Sequence, residues 1–331
     1  MKISSIFLSA AIFCGNLSAG KSAGDAELFD SHGQDEKKFI GLLPSNIKTI
    51  AVLSPGSHPG KPLHKKGIEL LQNAGYKVKI MPNTFVRQKE KAQAPLSGRL
   101  ADFYQAWNDP EVDMIICVRG GLGSEEVMDH LDWKKLKKRP ELYFQGYSDI
   151  TLITCTLFAK GYGHPVAGPN TGSMSGMTSD SIEAMKKIYH GQQLGPIKLE
   201  TIVPGDCQGY PLPGLLQRLS VLSEKEYCPS AKGRIVFIEE VGNSAEMIEK
   251  NLNKLLEKKF FKDAAGVVFC QFVRCKDDYK INGILKDFST KLKLPVYKGF
   301  PFGHTSRIYC IDFTRRVSIK NGFVTFSADS P

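Results

Sequence analysis

Short, continuously apolar runs alternate with helical segments over residues 48–167, and this alternation constrains the fold more than any other feature of the chain. Such runs are typical of parallel strands that are covered on both faces. The predicted strands are 48–53, 76–80, 114–118, 142–145 and 165–167, and the predicted helices are 67–74, 100–107, 124–131 and 150–160. We expect Ser124 to be the N-cap of the third helix, because its hydroxyl can accept from backbone N–H groups. The pattern therefore predicts an α/β protein with an N-terminal parallel-sheet domain of the Rossmann or flavodoxin-like kind.

The second half of the chain differs from the first in composition and in its pattern of predicted strands and helices. Residues 171–212 are rich in Gly, Pro, Ser and Asn around one predicted helix at 181–190, which favours an inter-domain connection. Beyond it lie predicted strands at 234–238 and 265–273, a helix at 245–256, and a terminal hairpin at 317–326 that turns at Asn-Gly. We therefore predict an N-terminal domain at 44–170 and a smaller, mixed β-rich α/β domain at 213–331.

The first 43 residues differ from the rest. A basic start, an apolar run of nine residues at 6–14 and small residues at 17–19 indicate a signal peptide over 1–19. A buried N-terminal strand is the alternative. Residues 20–43 are polar and small, as in a flexible lead-in. We expect a periplasmic or secreted protein, with a cytoplasmic one as the alternative, and no stable membrane insertion of the mature chain.

Charge and cysteine usage narrow the function only slightly. The chain has 44 Lys and Arg against 34 Asp and Glu, a net charge of +10, which favours an anionic substrate or environment without naming one. Cys207 and Cys228 lie in polar stretches and could pair in an oxidising compartment. Cys270 and Cys275 are a weak indication of a metal because no histidine cluster accompanies them, so we expect no metal.

Three turns follow predicted strands, where ligands of an open parallel sheet collect. They are 54–57 (SPGS), 119–123 (RGGLG) and 146–149 (GYSD). In the third, Ser148 stands between a strand and a helix, which is the setting of a nucleophile elbow. The alternative is that Ser148 or Asp149 simply caps the helix.

A serine nucleophile needs a base and a carboxylate to orient it. His164 and His304 follow glycine among proline and aromatic residues, and His304 comes shortly after a strand-like stretch at 294–297. Glu239 and Glu240 end the strand predicted at 234–238. The order Ser, Glu, His along the chain occurs in one known hydrolase arrangement, although many chains contain it by chance.

Four stretches together resemble the muramoyl-tetrapeptide L,D-carboxypeptidase family of serine peptidases, which includes the microcin C self-immunity peptidases. They are IICVRGGLGS at 115–124, FQGYSDITLI at 144–153, IVFIEEV at 235–241 and GFPFGHTSR at 299–307, with support from 50–57 and 163–170. The resemblance spans about residues 45–310 in the expected order.

The resemblance implies a catalytic triad of Ser148, Glu239 and His304. It also implies an oxyanion hole built from the N–H groups of Asp149 and of a glycine in the RGG turn, with Gly121 preferred. Two further residues of that turn, Arg119 and Gly120, are expected to bind substrate, and Arg119 either stabilises the turn or meets a substrate carboxylate.

By the same resemblance, the implied activity is hydrolysis of the bond to the terminal D-alanine of a murein tetrapeptide, without metal or cofactor and without a nucleic-acid partner. The alternatives are an amidase acting on a peptide-nucleotide antibiotic or other acyl-peptide, and a non-catalytic wall-peptide binder. A homodimer is a family expectation. The chain departs from the family pattern at 215–219 (LLQRL), where Gly-Gly-Asn-Leu is common, and at 311–314. The resemblance therefore does not define the substrate preference or the residues of the pocket wall.

Overall fold

The computed structural model of the chain describes residues 36–60 and 62–328. The predicted signal peptide at 1–19 and residues 20–35 of the predicted lead-in lie outside these ranges. The strands are β1 Thr49–Leu53, β2 Lys77–Ile80, β3 Met114–Cys117, β4 Tyr143–Gly146, β5 His164–Ala167, β6 Leu194–Lys198, β7 Glu200–Val203, β8 Cys207–Leu215, β9 Arg234–Val241, β10 Gly266–Val273, β11 Val296–Lys298, β12 Ile311–Asp312, β13 Val317–Lys320 and β14 Phe323–Phe326. The helices are α1 Pro62–Asn73, α2 Leu96–Asn108, α3 Ser124–His130, α4 Thr151–Lys160, α5 Thr171–Met174, α6 Ser179–Tyr189, α7 Leu216–Leu222, α8 Ala245–Glu257 and α9 Asp278–Leu292.

The first sheet has the order β12-β5-β4-β3-β1-β2. Strands β1 to β5 run parallel in the flavodoxin-like order 2-1-3-4-5, and every residue of β1 and β3 is buried. The short strand β12, from the C-terminal part of the chain, adds antiparallel to β5. The predicted α/β fold with a parallel N-terminal sheet is confirmed.

The second sheet has the order β6-β14-β13-β8-β9-β10-β11-β7. Strands β8 to β11 are mutually parallel, and the remaining neighbours pair antiparallel, so the sheet is mixed as predicted. The terminal hairpin is confirmed as well. Asn321 and Gly322 both have positive φ, 51° and 76°, as a type I′ turn requires.

Two segments differ from their predictions. Residues 171–212, predicted as a connection, contain α5, α6, β6 and β7 and enter β8, which lies in the interior of the second sheet. Their Pro and Gly content suggested a linker, but Gly209 is needed in β8 because a Cβ there would come 2.3 Å from the carbonyl oxygen of Gly233, just before the neighbouring strand β9. Helix α9 was not predicted, although it buries Ile281, Leu285 and Phe288 along one face at helical spacing.

Ser124 does not cap α3, contrary to prediction. Gly123, at a φ of 115° that favours glycine, occupies the N-cap position, and Ser124 is the first, buried residue of the helix. Cys207 and Cys228, which could have paired, are both free thiols in the structure.

One hydrophobic core runs through both halves, and helix α4 links them. The hydroxyl of Thr151, at the start of α4, accepts from the N–H of Leu215 at the end of β8, at 3.0 Å. Gly214 permits this approach, because a Cβ there would lie 2.5 Å from the methyl group of Thr151. The elbow that precedes α4 is thereby held against the second sheet.

Within 36–60 and 62–328, none of the helices is long and apolar enough to cross a bilayer. The same residues contain no cluster of three or more His, Cys, Asp or Glu that could hold a metal ion.

Candidate active site

Ser148 lies at the bend between β4 and α4. Its φ is 66°, a left-handed conformation that costs a non-glycine residue energy and is retained where surrounding structure enforces it. Gly146 makes the bend possible, because a Cβ there would come 2.6 Å from the Ile150 side chain. The strand and the helix on either side are both firmly packed, so the serine is presented at the carboxyl edge of the first sheet.

The capping alternative fails, since neither Ser148 nor Asp149 makes a side-chain cap bond to α4 or to the short 3-10 turn before it. Instead, Oδ2 of Asp149 accepts from the N–H of Gly121 at 2.8 Å, and Oδ1 accepts from Nε of Arg218 in α7. The carboxylate therefore ties the serine bend both to the glycine turn after β3 and to the second half of the chain.

The glycine turn lies directly against the serine. A Cβ added to Gly120 would be 2.9 Å from Cβ of Ser148 and 3.1 Å from both its Oγ and the N atom of Asp149. The turn predicted at 54–57 supports this one, because the N–H of Ser57 donates to the Gly120 carbonyl at 3.2 Å. The N–H of Gly121, which the resemblance implies for the oxyanion hole, instead donates to Asp149, so Gly120 is the glycine next to the hydroxyl.

His304 joins the serine to a buried carboxylate. Its Nε2 lies 2.9 Å from Oγ of Ser148, and its Nδ1 lies 2.9 Å from Oε2 of Glu239. The Glu239 side chain is fully buried, while the His304 side chain is 14% exposed. Gly303 makes the approach possible, with a φ of 143° and a Cβ position that would lie 3.3 Å from Cβ of Glu239. Three side chains distant in sequence thus form one hydrogen-bonded chain.

Glu240 is buried beside this chain but faces a different environment. Its two carboxylate oxygens accept from the N–H groups of Val241, at 2.7 Å, and Gln217, at 3.2 Å. Burial, with a smaller contribution from the charge of Glu239, raises the pKa of Glu240 to about 7. Of the two glutamates that end the predicted strand, only Glu239 is hydrogen-bonded to the imidazole.

Tyr147 forms one wall of the site. Its ring lies 4.8 Å from the His304 ring between centroids, and its hydroxyl is 2.9 Å from Oγ of Ser173. Burial raises the pKa of Tyr147 to about 12, so the phenol is neutral at physiological pH. It can therefore pack against the imidazole and share a hydrogen bond without adding charge.

A cavity of about 240 Å³ opens in front of Ser148. Two guanidinium groups line it, Arg119 from the glycine turn and Arg274 from the residue that follows β10. Arg119 also donates a long hydrogen bond of 3.4 Å to the carbonyl of His58. An anionic substrate fits a cavity with two cations at its wall.

The sequence reasoning did not single out Arg274 or the role of Arg218. A usable signal existed for Arg274, because it directly follows a predicted strand of the second sheet, as Glu239 follows its neighbour. Arg218 had no comparable signal, since it lies within a helix and its partner, Asp149, is remote in sequence.

Chemically, this arrangement can activate a hydroxyl. An imidazole that is hydrogen-bonded to a serine can take up its proton, and a buried carboxylate on the other ring nitrogen fixes the tautomer and stabilises the imidazolium. The arrangement suits acyl transfer from a substrate placed in the cavity.

Comparison with known proteins gives consistent matches. Residues 50–166 match the LD-carboxypeptidase N-terminal domain, and residues 208–319 match the LD-carboxypeptidase C-terminal domain. A probable murein peptide carboxypeptidase of Bacillus subtilis is 25% identical over 274 residues, covering 78% of this chain and 84% of the relative. The murein tetrapeptide carboxypeptidase of Pseudomonas aeruginosa is 22% identical over 274 residues, covering 77% and 87%.

Solved structures agree on the fold. The muramoyltetrapeptide carboxypeptidase of Oxalobacter formigenes superposes with a TM-score of 0.75 at 23% identity, covering 86% of this chain and 100% of that one. A microcin C7 self-immunity protein superposes with a TM-score of 0.75 at 18% identity, covering 87% and 98%.

Proposed function

The chain belongs to the LD-carboxypeptidase family, and from this premise we propose that it is a serine L,D-carboxypeptidase that releases the terminal D-alanine of murein tetrapeptides. The observation that carries the proposal is the hydrogen-bonded chain Ser148–His304–Glu239, with 2.9 Å at both junctions. The names of the murein peptide carboxypeptidases it resembles support the choice of substrate.

In the proposed reaction, His304 takes the proton of Ser148 as the hydroxyl oxygen attacks the scissile carbonyl carbon. Glu239 keeps Nδ1 protonated and stabilises the imidazolium that forms. The tetrahedral intermediate collapses when His304 gives the proton to the leaving amine of D-alanine, which leaves an acyl-enzyme on Ser148. Water, deprotonated by the same imidazole, then hydrolyses the ester and restores the serine.

We place the oxyanion at the N–H of Asp149 and the main chain of Gly120. Both lie beside the serine, and a donor of this kind typically contributes about 10²–10³ in rate. We do not assign the N–H of Gly121 to the oxyanion hole, because it donates a hydrogen bond to the Asp149 carboxylate. That carboxylate fixes the peptide plane that presents the Asp149 N–H.

The test is release of D-alanine from a purified murein tetrapeptide, followed by mass spectrometry of the products. Wild-type protein should yield tripeptide and D-alanine, whereas Ser148→Ala should lose at least about a thousandfold in kcat because the nucleophile is gone. A matched control, Ser230→Ala, removes the hydroxyl of an exposed residue and should retain wild-type activity.

Two outcomes would contradict the proposal. Tetrapeptide that binds wild-type protein without turnover would favour a wall-peptide binder. Turnover confined to a peptidyl-nucleotide in the same assay would favour the amidase alternative.

We also propose that the protein is exported, on the strength of the apolar run at 6–14 and the small residues that follow it. The mass of the mature N-terminus, measured on protein from a periplasmic fraction, should correspond to removal of about the first 19 residues. An intact Met1 on protein from the cytoplasm would contradict export. A homodimer remains a family expectation, to be checked by light scattering.

A further inference from the structure

Arg274 is a cation of the cavity for which the proposed reaction has so far no use. It follows β10 directly, at a φ of 53°, and its exposed side chain lines the open cavity together with Ser148 and His304. Left-handed backbone is unfavourable for arginine, and residues held in it cluster at functional sites. Together with its place at the cavity, this makes Arg274 a candidate for substrate binding.

Two arginines close to the site, the buried Arg99 and the half-buried Arg218, have protein partners. Arg99 donates to three backbone carbonyls and pairs with Glu126, and Arg218 pairs with Asp149. The Arg274 side chain, by contrast, makes no hydrogen bond or ion pair with any residue that the structure describes. Its five N–H donors are left for solvent or for a ligand in the cavity.

Arg274 and Arg119 approach the serine from different elements. Arg119 belongs to the glycine turn, on the side where the oxyanion is expected. Arg274 comes from the second sheet, as His304 does, and it is close enough to the Tyr147 phenol to oppose the effect of burial on its pKa. The Tyr147 ring packs on the His304 ring, so both Arg274 and the imidazole lie near this tyrosine.

The leaving group of acyl transfer departs on the imidazole side, since the imidazolium must protonate its amine. In a carboxypeptidase substrate, the carboxyl carbon of the leaving residue is only two bonds from that amine nitrogen. We infer that Arg274 binds the free C-terminal carboxylate of the leaving residue and thereby restricts the enzyme to the chain end. This inference rests on the proposed function and deepens it.

A guanidinium suits the task because its planar fork can hold both oxygens of a carboxylate at once. A substrate that continues beyond the scissile bond, or ends in an amide, would bring no negative charge to Arg274. The cation would then lose its water without a charged partner, so such substrates are disfavoured.

The test compares a tetrapeptide ending in D-alanine with the same peptide ending in D-alaninamide. We expect Arg274→Gln to reduce kcat/KM on the acid by about 10- to 100-fold, the usual effect of removing a hydrogen bond to a charged group, and to change kcat/KM on the amide by less than about threefold. Arg274→Lys, which keeps a point charge, should recover part of the preference for the acid. The matched control Arg316→Gln removes an exposed guanidinium that lies over the Tyr210 ring and should change neither value.

Binding separates this inference from the proposed function. Calorimetry with Ser148→Ala should show tighter binding of the acid than of the amide, and Ser148→Ala combined with Arg274→Gln should lose that difference. If the double variant keeps the difference, or Arg274→Gln keeps the wild-type ratio of rates, the inference is wrong even though D-alanine is released. If wild-type protein releases no D-alanine, the proposed function fails, and the binding comparison still decides whether Arg274 recognises the carboxylate.

Discussion

Replacing Gly120 by alanine tests whether the glycine turn and the serine bend form one rigid unit. The added Cβ would lie 2.9 Å from Cβ of Ser148, closer than real Cβ atoms approach one another, and 3.1 Å from N of Asp149. Neither the serine bend nor the glycine turn can move easily to relieve this contact. Ser148 is held at a φ of 66° and by its 2.9 Å bond to His304, while the Gly120 carbonyl is held by the N–H of Ser57.

An ordinary carbon–carbon contact requires about 3.5–4.0 Å, so relief needs a displacement of roughly half an ångström to one ångström. A misplacement of about 1 Å at a reacting group can cost about 100-fold in rate. We therefore expect kcat/KM for D-alanine release to fall by at least about 100-fold, or about 2.7 kcal/mol of transition-state stabilisation. Overpacking of this kind also costs about 1–3 kcal/mol of stability.

Gly283→Ala is the matched control. Gly283 lies on the exposed face of α9, where nothing comes within 4 Å of an added Cβ. Activity should be unchanged, and the free energy of unfolding should rise by about 0.5–1 kcal/mol because alanine is the better helix former. A Gly120→Ala protein that is folded by circular dichroism and keeps activity within threefold of wild type would refute the reasoning.

Two further predictions concern the carboxylates around the site. Arg218→Gln leaves the Asp149 carboxylate hydrogen-bonded to the Gly121 N–H but removes its ion pair. We therefore expect kcat to fall about tenfold or more and the free energy of unfolding to fall by about 2 kcal/mol. Unchanged steady-state kinetics would contradict this prediction. Since the pKa of Glu240 is raised to about 7 in the folded state, its stabilising contribution is complete below about pH 4.5, the unfolded pKa, and is lost as the pH rises through 7. Between pH 4.5 and 8, the free energy of unfolding of Glu240→Gln should rise by about 3 kcal/mol relative to that of wild type, as measured by urea denaturation. A difference in stability that does not depend on pH would disprove the pKa shift.

Local features of the sequence were sufficient for much of the fold. The parallel sheet, the bend at Ser148 and the Asn321-Gly322 turn depend on apolar runs and on glycine positions within a few residues of one another, and all three are present in the structure. Residues 171–212 were misinterpreted because strand pairing is not local. A stretch rich in Pro and Gly can be a linker or part of a sheet, and only its neighbours decide which.

The sequence by itself determined which side chains stand at the carboxyl ends of the strands, among them Ser148 and Glu239. Only the tertiary structure decided that His304 reaches both at 2.9 Å, that the Gly121 N–H holds Asp149, and that Arg274 faces the cavity without a protein partner. The physical reason is the sequence separation over which each kind of interaction acts. Backbone conformation and amphipathic pattern are set by neighbours in the chain, whereas hydrogen bonds across a cavity depend on how two sheets pack through α4.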